Sequence, residues 1–82
     1  MKEEIVTIKG ENGKEMDFIL AAELEYDGYN YQILIPTKKY KDLSSDMAIV
    51  FRLEDTGNGI NYFIEENDEI ISAIEEIYNN EN

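Results

Sequence analysis

From Met16 to Tyr26 the chain alternates: Met16, Phe18, Leu20, Ala22, Leu24 and Tyr26 take every second position, with Glu15, Asp17, Glu23 and Glu25 between them. That is the period of a half-buried strand. Ile19 and Ala21 break the acidic face, and a straight strand over 15–26 exceeds the usual length of about three to ten residues, so the pattern predicts a bend or bulge near Ala21-Ala22. Asp27-Gly28 signals a tight turn. Beyond it Tyr29, Tyr31, Ile33 and Ile35 alternate with Asn30, Gln32 and Leu34. Pro36, which has no amide hydrogen for a ladder, sets the end of this return strand at 29–35.

The rest of the chain reads as additions to this hairpin. Residues 4–9 are rich in β-branched side chains and are followed by Asn12-Gly13, so a first strand pairs antiparallel with the second. Residues 47–54 form a fourth strand, with Met47, Ile49, Phe51 and Leu53 on one face and Ala48, Val50 and Arg52 on the other. The turn Asp55–Gly59 leads to a fifth strand near 60–65, where Ile60, Tyr62 and Ile64 alternate with Asn61 and Phe63. From Asn67 the period lengthens to that of a helix over 68–78, with Ile70, Ile71, Ile74, Ile77 and Tyr78 on one side, Asn67 as N-cap and an acidic tail at 79–82. The expected fold is α+β, a single two-layer domain over 1–82 in which an antiparallel five-stranded β-meander packs against one C-terminal α-helix. The helix is expected to cover the face that carries Met16, Phe18 and Leu20, which leaves Arg52 pointing away from it.

Composition narrows the chemistry. The 82 residues allow one core, which buries about 60–65% of the surface of the unfolded chain. Without cysteine or histidine there is no disulfide, thiolate zinc site, thiol nucleophile or imidazole base. Nineteen acidic residues against seven basic ones give a net charge of −12, which repels nucleic-acid phosphates and anionic membrane. No segment has the length of a signal peptide or membrane span, so a reducing, cytoplasmic setting is expected.

The order of elements also carries a resemblance. ENGKEMDFILAAELEYDGYNYQILIP followed by MAIVFRLEDTGNGINYFIEENDEIISAIEEI resembles a family of small, highly acidic, uncharacterised bacterial proteins, a domain of unknown function. The shared features are the Gly turn, the Glu-Tyr-x-Gly-x-x-Tyr step at Glu25–Tyr31, the Ile35-Pro36 end, the strand Val50–Leu53 and the acidic helix. Loop 37–46 departs from it, being rich in lysine where acidic residues are expected. The resemblance implies a small cytoplasmic protein and supplies no catalytic residues.

Candidate sites are few. Glu15, Asp17, Glu23 and Glu25 read as a solvated strand face, and Asp55–Gly59 lacks the ligand spacing of a calcium loop. Tyr26, Tyr29, Tyr31 and Tyr62 are in phase with the core. Two surfaces are left for an interaction: a face bearing Ile19, Ala21, Leu34, Val50, Arg52 and Phe63, apolar where a two-layer domain is polar, and a loop bearing Lys38, Lys39, Tyr40 and Lys41. The expectation is a non-enzymatic protein-interaction or regulatory module. It has no catalytic residue, cofactor or metal ligand, and neither nucleic acid nor membrane as partner. Its partner would be a protein, basic in character, or a second copy joined through the exposed face or a sheet edge. The alternatives are a divalent-ion-dependent hydrolase using paired carboxylates and, more weakly, a mimic of nucleic-acid charge.

Overall fold

A computed structural model describes residues 3–10, 13–40, 45 and 47–80. Five strands, β1 (Ile5–Lys9), β2 (Glu15–Tyr26), β3 (Tyr29–Pro36), β4 (Ile49–Asp55) and β5 (Ile60–Ile64), precede one helix, α1 (Asp68–Asn80). All neighbours pair antiparallel in the order β1-β2-β3-β4-β5, so the sheet is a meander. Strand β4 begins two residues later than the alternation suggested, and α1 continues through Asn79 and Asn80. Between β2 and β3 the chain reverses through Asp27 (φ 53°) and Gly28 (φ 83°), two successive left-handed residues that match the twist of a tight hairpin. Asn12, read as part of the first turn, and Lys41 lie outside the described residues, as does the end of the acidic tail.

The register of β2 on β3 slips between Leu20 and Ala22: Leu20 faces Leu34, but Ala22 faces Ile33. This is the bulge that the length of the strand predicted. Its consequence is an exchange of faces, because one extra residue reverses every side chain that follows. Phe18 and Leu20 share a face with Leu34, whereas Ala22, Leu24 and Tyr26 share the other with Ile33 and Tyr31. The even-numbered residues of β2 therefore serve two cores.

On one side Phe18, Leu34, Ile49 and Phe51 form a buried cluster that Val6, Ile8, Met16, Leu20, Leu53 and Tyr62 complete. Residues of both outer strands reach this cluster because the sheet curls around it. Thr7, Ile8 and Lys9 of β1 accordingly line one groove with Ile60 to Phe63 of β5. On the other side Tyr31, Ile33, Val50 and Ile74 are buried together, with Ala21, Ala22, Leu24, Tyr26, Ile70, Ile71 and Tyr78 against them. Helix α1 therefore lies on the Val50 face. The expectation that it covers Met16, Phe18 and Leu20 is corrected: the curl of the sheet closes that face, and the helix takes the convex one.

The helix starts where its cap predicts. The side-chain oxygen of Asn67 accepts from the backbone amides of Glu69 at 2.9 Å and Ile70 at 3.4 Å, while Asp68 and Glu69 complement the dipole in the first turn. No basic residue stands in the last turn, so the helix depends on its apolar face. Among the described residues no helix is long and apolar enough to cross a membrane.

Candidate functional site

Arg52 organises the most distinctive polar feature. In register it sits opposite Tyr31 on β3 and Phe63 on β5, and Tyr31 belongs to the cluster under the helix. Cross-strand partners share a face, so Arg52 lies on the helix side of the sheet, contrary to the expectation from sequence. Its guanidinium carbon stands 5.6 Å from the ring centre of Tyr29 and 5.5 Å from that of Phe63, within cation–π range of both. Its terminal nitrogens pair with Glu54 at 3.1 Å and Glu65 at 3.8 Å. The Tyr31 hydroxyl donates to Glu65 Oε1 at 3.4 Å.

These contacts set the electrostatics. Glu54 and Glu65 neutralise Arg52, and Glu65 is almost wholly buried, so the guanidinium is held rather than offered as a free cation. Arg52 Nε is buried without a hydrogen-bond partner among the described residues. Burial pushes the Tyr31 phenol above its ordinary pKa, and the neighbouring Glu65 charge adds to that push. The result is a braced patch in which Tyr29 is 50% and Phe63 42% exposed on either side of one guanidinium. Ile60 and Ile64, also of β5, are exposed nearby along the strand but belong to the other face.

The six residues expected to make one apolar face do not. Leu34 is fully buried on the concave side. Val50 is buried beneath α1, and Ala21 packs against the same cluster. Ile19 is half-buried. Of the set, Arg52 and Phe63 come together at the surface, joined by Tyr29, which the alternation had assigned to the core. In the lysine loop, Tyr40 folds back on the sheet: its hydroxyl accepts from the Asp17 amide at 2.8 Å, its ring lies 6.2 Å from that of Phe18, and Lys38 Nζ stands 5.4 Å from its centre. Lys38 and Lys39 are exposed.

The carboxylates are dispersed. Asp17 accepts from Thr7 Oγ1 at 2.7 Å on one side of the sheet, and Glu23 accepts from Gln32 Nε2 at 2.9 Å beyond the bulge, on the other. Asp55 Oδ1 caps the Gly57 amide at 2.9 Å within its turn. Among the described residues, no three acidic side chains converge as a metal site would require.

A family model described as "Protein of unknown function (DUF1292)" matches residues 11–81. The chain belongs to this family. Two relatives, each called "UPF0473 protein", come from Desulforudis audaxviator (strain MP104C) and Heliobacterium modesticaldum (strain ATCC 51547 / Ice1). The first is 36% identical over 66 residues, covering 80% of this chain and 76% of its own. The second is 36% identical over 70 residues, covering 83% and 74%. No solved structure matches the chain. For this DUF1292 member, therefore, the fold and its surfaces carry the functional reading.

Proposed function

We propose that the protein is a non-enzymatic interaction module of the cytoplasm that docks a protein partner on the Tyr29–Arg52–Phe63 patch. The observation that supports this reading is the pair of half-exposed rings flanking an arginine already braced by Glu54 and Glu65. Tyrosine, phenylalanine and arginine are the residues that interfaces enrich, and rings held on strands lose little conformational freedom when a partner covers them. The rest of the surface, with a net charge of −12, favours a partner whose rim is basic.

The test is a quantitative capture from the source cell using the wild-type chain, Phe63→Asp, and Ser72→Asp as a control on the exposed side of α1. The expected outcome is one protein retained by wild type and control but lost with Phe63→Asp, with direct binding then reproduced from purified components. Identical capture by all three chains would sink the reading.

A further inference from the structure

On the face opposite Arg52, at the hairpin end of the curl, lies a second polar feature. Glu23, Asn30, Gln32, Leu53 and Ile60 are among the residues lining a recess of ≈ 400 Å³. Gln32 is 7% exposed, and its Nε2 donates to Glu23 Oε2 at 2.9 Å. A carboxylate can only accept, so this contact determines which way the amide points. Gln32 Oε1 is thereby left as a buried acceptor with no partner among the described residues. Among the described residues no cationic side chain lines the recess. Tyr62 is close enough to Glu23 for that charge to reinforce the effect of burial in raising its pKa.

We infer that this recess binds a primary alkylammonium group, held between the Glu23 carboxylate and Gln32 Oε1 with its methylene stem along Leu53 and Ile60. The balance of groups points to a cation, since Glu23 is anionic, Gln32 Oε1 is an acceptor without a partner among the described residues, and one of the two hydrogens on Gln32 Nε2 already goes to Glu23. The same contact selects the head group. A guanidinium fork would have to share Oε2 with the Gln32 amide, whereas a compact ammonium needs only one oxygen of Glu23 and one of Gln32. Ile60 forms part of the wall: it opens β5 directly after the Gly57–Gly59 turn and is 53% exposed, so little packing holds it against an entering ligand. This site lies across the sheet from the Tyr29–Arg52–Phe63 patch, and its success or failure leaves that reading untouched.

The ammonium could come from a lysine side chain of another protein or from a free polyamine. Titrating the isotope-labelled full chain with n-butylammonium, 1,5-diaminopentane and Nα-acetyl-lysine methylamide at about 0.15 M salt, where exposed charges are largely screened, tests the site and separates the two sources. The expected result is a saturable shift of the Gln32 side-chain amide and the Ile60 backbone amide. Gln32→Leu and Glu23→Gln should each weaken binding about tenfold, and Asp17→Asn, on the other face, should leave it unchanged. Tighter binding of the lysine derivative supports the site with a protein source, and tighter binding of the diamine supports it with a polyamine. Shifts spread evenly over all acidic strands, undiminished affinity in Gln32→Leu, or tighter binding of ethylguanidinium would each overturn it.

Discussion

Single side chains in this protein hold polar groups in costly places. Gln32 Oε1 is an interior acceptor with no partner among the described residues, a situation that costs about 1–3 kcal/mol, whereas an apolar side chain of similar size carries no such penalty. Gln32→Leu is expected to raise the unfolding free energy by about 1 kcal/mol in urea titrations, despite the loss of the bond to exposed Glu23. A clear loss of stability would mean that Oε1 is satisfied in solution. Two phenols, buried Tyr31 and half-buried Tyr62, give a second prediction. Tyr31 and Tyr62 have pKa values raised above the ordinary value of about 10, so below that pH they are neutral in both folded and unfolded states and their contribution to stability is complete. Above it the unfolded chain ionises first, and stability falls as the pH rises through the folded values. In an alkaline titration followed by tyrosinate absorbance, Tyr31→Phe and Tyr62→Phe should each remove absorbance from the part of the curve above the ordinary phenol pKa, and Tyr31→Phe should flatten the alkaline loss of stability. Among residues of the candidate sites, Arg52 and Phe63 stood out in the sequence as interruptions of the pattern. Tyr29 and Gln32 did not. Tyr29 alternates in phase with buried Tyr31, and its exposure comes from its place beside the turn. Gln32 occupied a position where a polar residue was expected, and its burial follows from the curl, which a period of two does not encode.

At the level of elements, β2 carries the decisive irregularity. Deleting Ala21 would remove the slip that lets Met16, Phe18 and Leu20 face one core while Ala22, Leu24 and Tyr26 face the other. The shortened strand would have to turn one of these groups to the wrong side. The expected outcome is loss of the cooperative thermal transition, measured by circular dichroism. Helix α1 contributes one fully buried residue, Ile74, and Ile74→Ala should cost about 2–5 kcal/mol in chemical denaturation. That takes up a large share of the total stability of a small domain, about 5 kcal/mol, so the variant should melt at a markedly lower temperature. The strands, the hairpin turn, the bulge and the capped helix were all legible, because alternation, chain length and an Asn N-cap act locally. The side of the sheet that the helix takes was not. In β2 the apolar residues stay on even numbers across the bulge although their spatial face changes, and β3 and β4 are apolar on both faces, so neither strand indicates which one receives α1.

The whole molecule is governed by its charge. Nineteen acidic residues on a body of Cα radius of gyration 12.7 Å repel one another, and added salt screens that repulsion over a shorter range. Raising sodium chloride from low concentration to about 0.5 M is expected to raise the melting temperature by about 4–8 °C, the shift that corresponds to about 1 kcal/mol in a domain of this size. A flat response in scanning calorimetry would show that ion pairs such as those of Arg52 offset the excess charge. The meander has one more consequence, for the time course of folding. Every strand pairs with its neighbour in sequence, so no pairing waits for a distant segment to arrive. The β1–β3 unit, with its pre-shaped Asp27-Gly28 reversal, is complete before β4 emerges from a ribosome, and each later strand adds to an edge that already exists. Only Ile74 and its neighbours on α1, which follows all five strands, can then close the convex face, so until α1 docks the growing protein presents Ile33 and Val50 uncovered.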